Sequence, residues 1–215
     1  GNAATADLNF NSTIYSFDGA TTITAASGDT IDLAAGAGTS FTTDAYNITF
    51  ATGNIELADG SNLTVDTGAA GGNITVGGEI AGTSVETVTL DAGTGTTSVG
   101  VIGSGTEIGA LSIGSAENGG ITLNGAIVTD GAVSIDGPVT LATGAVSVVT
   151  ADDTITFNHT IDGAQALTLV AGTAATAIQG EIGGNTAISS LTITNGTADG
   201  TIEIANIGGV TGATA

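Results

Sequence analysis

Twenty-one carboxylates stand in this 215-residue chain with no Lys or Arg to answer them. Oxygen sites for hard cations are the chemistry that such an excess can build. Asp29 and Asp32, and the adjacent Asp152 and Asp153, are the candidate calcium ligands, although no EF-hand loop or Gly-Gly-x-Gly-x-Asp array is present. Asp152-Asp153 is also the only adjacent acidic pair, and so the only local candidate for two-carboxylate glycoside chemistry. The basic groups and aromatic platforms that would hold a sugar beside it are missing or scarce, with aromatics at 3%. His159 is the only histidine and has no partner at a metal-ligand or acid–base spacing. No catalytic residue is expected, and no cofactor except calcium.

The same charge balance excludes whole classes of partner. Nucleic acid needs phosphates neutralised, and no cation is available for that. An anionic membrane surface repels a chain of net charge −21, and no run of about 18 apolar residues could span a bilayer. Self-repulsion on this scale favours a saline or calcium-rich setting. Six Asn-x-Ser/Thr sequons, at Asn11, Asn47, Asn62, Asn73, Asn158 and Asn195, are candidate glycosylation sites. The absence of Cys is compatible with export. Gly1-Asn2-Ala3-Ala4 suits the start of a mature chain after a small-residue cleavage site.

These residues must be positioned by strands. Gly supplies 36 residues and Thr is abundant, so helix propensity is poor throughout. Apolar–polar–apolar triplets recur instead, each burying two side chains and exposing the middle one. One series runs through Leu63, Val88, Leu111, Val133, Val146, Leu167 and Leu191. Another runs through Ile74, Ile121, Val139, Ile155 and Ile202. The first series steps by 25, 23, 22, 13, 21 and 24. That suits one solenoid turn per step except between Val133 and Val146, where a coil is shortened or the pattern breaks. The middle positions Thr64, Thr89, Ser112, Ser134, Ser147, Thr168 and Thr192 form an exposed hydroxyl row. Asp-Gly and Asn-Gly dipeptides between triplets close tight corners.

The expected fold is all-β, a parallel β-solenoid of about seven to nine coils. The alternative is a β-sandwich or jelly-roll subunit joined to its neighbour by strand donation. Val88–Gly93 resembles Leu167–Gly172, and the segment from Ile102 to Ile113 resembles that from Ile182 to Ile193. The two resemblances share an offset of about 80 residues, which reads as an internal duplication. Residues 1–60 hold four of the five Phe and both Tyr and are expected to form a β-rich cap or docking segment. Residues 61–215 form the strand-repeat region, whose far end shows no cap.

Stretches such as Gln165-Ala166-Leu167-Thr168-Leu169-Val170-Ala171-Gly172 and Ile188-Ser189-Ser190-Leu191-Thr192-Ile193 resemble the β-strand repeats of large bacterial surface proteins, the filamentous-haemagglutinin-like adhesins. The resemblance covers residues 60–215 and is one of pattern. It implies a right-handed β-helix in an extracellular fibre or stalk. The function expected is therefore that of a non-enzymatic structural protein of the cell surface. It would be a self-assembling filament or sheath subunit, or an adhesin stalk, with a second copy of itself as partner. The alternative is a ligand-binding solenoid whose hydroxyl face takes a surface glycan or ice.

Overall fold

A computed structural model describes residues 7–26, 28–34, 36–115, 119–195 and 200–208. The described residues form 24 strands and no helix. Every strand pairing is parallel. Coil one carries β1 (Leu8–Phe10), β2 (Ile14–Phe17) and β3 (Thr21–Thr24). Coil two carries β4 (Thr30–Leu33), β5 (Thr39–Thr43) and β6 (Ile48–Thr52), and coil three β7 (Asn54–Leu57), β8 (Leu63–Asp66) and β9 (Ile74–Val76). Coil four has β10 (Ile80–Ala81), β11 (Thr87–Asp91) and β12 (Thr96–Val99); coil five has β13 (Ala110–Gly114) and β14 (Gly120–Leu123). Coil six has β15 (Ile127–Thr129), β16 (Val133–Asp136) and β17 (Val139–Leu141); coil seven has β18 (Val146–Thr150), β19 (Ile155–Phe157) and β20 (Ile161–Asp162). Coil eight has β21 (Ala166–Gly172) and β22 (Thr176–Ile182), and coil nine β23 (Ser190–Asn195) and β24 (Ile202–Ile207).

Successive coils stack into three faces, and the expected parallel solenoid is the fold observed. On the first face, Leu8, Ile31, Ile55, Ile80, Ile102, Ile127, Val148, Leu169 and Ile193 lie in one continuous register of nine rungs. Ile102 holds coil five in that register by isolated bridges alone. The second face runs from Tyr15 and Phe41 through Val65, Leu90, Ile113, Ile135, Phe157 and Ile178 to Ile204. The third runs from Thr21 and Ile48 to Ile182 and Ile207. In coil eight β22 continues through the corner and pairs with both β19 and β20, which joins the second and third faces.

The triplets dictate this core. Their outer two positions point inward and are buried, while the middle one stays half-exposed, as in β8, β11 and β16. With no Met or Trp to fill gaps, the interior is a file of stacked Ile, Leu and Val, in which each side chain sits on its equivalent one coil away. Phe10, Tyr15, Phe41 and Phe50 pack ring on ring inside coils one and two, with centroids 4.8–5.3 Å apart. Residues 8–57 thus carry ordinary rungs of the same ladders as the rest.

The coil period read from the triplets holds, but the grouping of triplets into two series does not follow the faces. Leu63, Val88, Leu111 and Val133 share the second face, whereas Val146, Leu167 and Leu191 belong to the first. The short step from Val133 to Val146 is therefore a passage from one face to another, and no coil is shortened there. The true partner of Val133 is Ile155, one full coil on. The second series crosses in the same way, since Ile155 and Ile202 lie on the second face and Ile74, Ile121 and Val139 on the third. All three faces use the same triplet, so composition does not label them. The similar segments Val88–Gly93 and Leu167–Gly172 likewise lie on different faces.

Inward Thr residues close the corners. Thr43, Thr67, Thr129 and Thr150 each donate the side-chain hydroxyl to a carbonyl just beyond the bend, of Tyr46, Gly72, Gly131 and Asp153. Stacked corners approach so closely that a Cβ on Gly93, at φ +51°, would lie 2.2 Å from the carbonyl oxygen of Gly68 in the coil below.

Candidate functional site

The four calcium candidates stand in two places. Asp29 and Asp32 belong to coil two, Asp152 and Asp153 to coil seven. Asp32 accepts the Thr30 hydroxyl at 2.6 Å and lies in register with Glu56 on the outward row of the first face. Asp152, at φ +112°, accepts the amide of Thr173 at 2.9 Å, and the carbonyl of Asp153 is taken by Thr150. Among the described residues no three His, Cys, Asp or Glu side chains come together as a metal site.

The side-chain carboxylates and amides join coils. Asp7 accepts the amide of Thr30, Asn47 that of Asn73, Asn54 that of Glu79, Asn62 that of Thr87, and Asn73 that of Thr96, all at 2.8–3.2 Å. Each bond spans one coil. Farther along, Asp162 accepts the amides of Asn185 and Thr186 and the side-chain amide of Asn185. In a chain without Lys or Arg, backbone N–H groups at the corners are the donors left to meet a carboxylate. Burial alone would push Asp162 up, but these three donors hold it below the usual carboxylate range.

Glu86 is the extreme case, a wholly buried carboxylate. Burial would raise it, yet the hydroxyl and amide of Thr83 (2.6 and 2.5 Å), its own backbone amide and the amide of Gly60 (3.0 Å) hold it low. Glu56 is pushed the opposite way: burial first, then the nearby charges of Glu79 and Asp32, raise it. His159 has a partner that sequence spacing did not offer, since its Nε2 lies 3.1 Å from Asp136 Oδ1 in the coil below.

Among the sequons, Asn11 is exposed, and Asn158 is half-buried with its backbone amide bonded to Ile135. Asn47, Asn62 and Asn73 use only the side-chain oxygen, leaving Nδ2, the point of glycan attachment, open. Asn195 is different. Its Nδ2 donates to the carbonyls of Ala174 and Thr201, and its oxygen accepts from Thr176.

The hydroxyl row is likewise divided. Thr64, Thr89, Ser112 and Ser134 stack on the second face, extended by Ser40 before them and Thr156 after, whereas Ser147, Thr168 and Thr192 stack on the first. Where the second-face strands enter, coils one to four enclose an open groove of about 370 Å³ lined by Thr13, Thr39, Ser40, Asn62, Thr64 and Thr87. Of these, the sequence alone singles out Asn62, as a sequon, and Thr64, in the hydroxyl row. The available signal was the coil period, because residues 13, 38, 62 and 87 recur at intervals of 25, 24 and 25. Compared with known proteins, the chain matches no family model, no curated protein and no solved structure.

Proposed function

We propose that the protein is a non-enzymatic structural rod of an extracellular filament, sheath or adhesin stalk, which assembles with further copies of itself by continuing the coil stack. The observation that carries this reading is the parallel stacking of nine described rungs on each face. A parallel coil has two unlike edges, and the upper edge of one coil complements the lower edge of the next. Head-to-tail contacts of this kind build open filaments and not closed dimers. The inward ladder positions Leu8, Ile202 and Ile207, on the first and last described coils, are 37, 48 and 64% exposed, and one more coil at either side would cover them. Carboxylates concentrated on the rod oppose its approach to other rods, and calcium at the joints would relieve that repulsion.

Electron microscopy of the purified protein, first with calcium and then with a chelator, tests the proposal. Nine coils at about 4.8 Å each give a rod of roughly 40 Å. Fibres with an axial repeat near that length are expected, and their loss in chelator would assign calcium to the joints. Dispersed monomers in both conditions would contradict self-assembly.

A further inference from the structure

The Asp-Gly and Asn-Gly corners carry a reactivity that their place in the coil controls. In such a pair the glycine amide nitrogen can attack the side-chain carbonyl carbon of the preceding residue, because glycine has no side chain to obstruct it. Six pairs lie wholly among the described residues, beginning at Asp18, Asp59, Asn124, Asp130, Asp136 and Asp162; those beginning at Asn118, Asn195 and Asp199 lie partly outside them. Five of the six have a partner in place. The amide of Gly60 donates to Glu86 at 3.0 Å, that of Gly131 to the carbonyl of Gly109, and that of Gly163 to the carbonyl of Thr186 at 3.1 Å. Asp136 keeps an oxygen 3.1 Å from His159 Nε2. The Asn124 side chain donates to Ser98 and Val99 and accepts from Thr143.

Asp18-Gly19 stands apart. Asp18 is exposed, and neither its carboxylate nor the Gly19 amide has a hydrogen-bond partner among the described residues. Beyond the adjoining residues, no atom lies within 4 Å of the place that a Gly19 Cβ would occupy.

We propose that Asp18 is a site of spontaneous backbone modification, rearranging to isoaspartate faster than any other wholly described Asp-Gly or Asn-Gly pair. The Gly19 nitrogen bonds to Cγ of the protonated Asp18 carboxyl, the Cγ–OH bond breaks, and the hydroxyl leaves as water with the amide proton. Water then opens the five-membered imide. Attack at the main-chain carbonyl leaves the chain running through the former side chain, one methylene longer, with a free α-carboxylate. Water is the only co-reactant. At the other corners the amide or the side chain must first leave its partner, and one such hydrogen bond slows ring closure by about tenfold. The corner joins β2 to β3 in coil one, so the added methylene enters the bend and not a rung. The reaction proceeds on a single rod and does not rest on assembly.

Ageing the purified whole chain in warm, mildly acidic buffer tests this. Isoaspartate is then read by protein-isoaspartate methyltransferase with a radioactive methyl donor. Without Lys or Arg the chain is mapped by cleavage after glutamate, which isolates Asp18 in residues 1–56 and Asp59 in 57–79, each as the one Asp-Gly of its peptide. About tenfold more label is expected at Asp18 than at Asp59. Tandem mass spectrometry should place little at Asp130, Asp136 or Asp162. In urea, where the coil bonds are lost, the Asp-Gly pairs should react alike. Asp18→Glu, whose longer side chain disfavours ring closure, should remove most label from residues 1–56 and leave Tm unchanged. Equal labelling of Asp18 and Asp59 in the folded chain would overturn the proposal. So would label in residues 1–56 that survives Asp18→Glu.

Discussion

The outward row of the first face has two halves that differ in everything but backbone. In the first coils it reads Asn9, Asp32, Glu56 and the buried Ala81; from coil six it reads Val128, Val149, Val170 and Thr194. Both halves stack in register at the spacing of neighbouring strands, about 4.8 Å. In-register stacking sets each side chain over its equivalent, so like meets like. For valines that is contact. For carboxylates it is repulsion, which adds to burial in raising Glu56 beside Glu79 and Asp32. The contrast teaches that the outer surface does not decide the fold, since the inward ladder of Ile31, Ile55 and Ile127 runs beneath both halves unchanged. It also shows how this chain carries its acids. At the corners, Glu86 and Asp162 meet N–H donors and are held low; on the first face Glu56 is raised by burial and by the neighbouring Glu79 and Asp32.

The largest effect should come from breaking the ladder that both halves share. Phe157, wholly buried between Ile135 and Ile178, should cost about 3–5 kcal/mol as Phe157→Ala in urea denaturation. Val149→Ala, on the outward row, should cost much less. If the two cost the same, the surface stack shares in holding the fold.

Removing a corner carboxylate comes next. Glu86→Ala strips the amides of Thr83 and Gly60 of their acceptor and should cost about 1–3 kcal/mol by the same measurement. The pH dependence has a definite sign. Glu86 and Asp162 have lowered folded-state values, so their stabilisation is present above the ordinary carboxylate range. It is lost as pH falls through that range to the lowered values.

The smallest effect, and the sharpest test of the contrast, is at Glu56. Its folded-state value is raised, so its charge destabilises at neutral pH and the penalty disappears below the ordinary carboxylate range. Glu56→Gln should stabilise by about 0.2–1 kcal/mol at neutral pH and by nothing in acid. A destabilised Glu56→Gln would mean that the stacked acids are held by a favourable interaction, such as a shared cation.

Much of the architecture was legible in the triplets. The alternation of Leu63-Thr64-Val65 implied strands with one buried side, and the even recurrence from Leu63 through Val88 and Leu111 to Val133 implied the coil. Which face a triplet occupies was not legible, because Val133-Ser134-Ile135 and Val146-Ser147-Val148 are chemically alike and only the running coil length separates them. The hydrogen bonds of the candidate ligands were hidden for a related reason. Asp152 and Asp32 look free in a chain without cations, but one oxygen of Asp152 takes an amide one coil on and one oxygen of Asp32 a neighbouring hydroxyl. Those donors become adjacent only once the coils stack. The groove was hidden likewise, since its wall is assembled from single residues of four coils.

The register at the passage between faces tests the stacked-coil account most directly, and a cysteine-free chain makes it measurable by cross-linking. Ser134 pairs with Thr156 on the second face, whereas Ser147, in the next triplet but one, pairs with Thr168 on the first. Neighbouring strands about 4.8 Å apart fall within the Cα separation of a disulfide, about 4.4–6.8 Å. Under mild oxidation, the double variant Ser134→Cys/Thr156→Cys should close a disulfide within one chain, and Ser134→Cys/Ser147→Cys should stay reduced. A bond in the second variant and none in the first would contradict the stacking of coils on which the whole account rests.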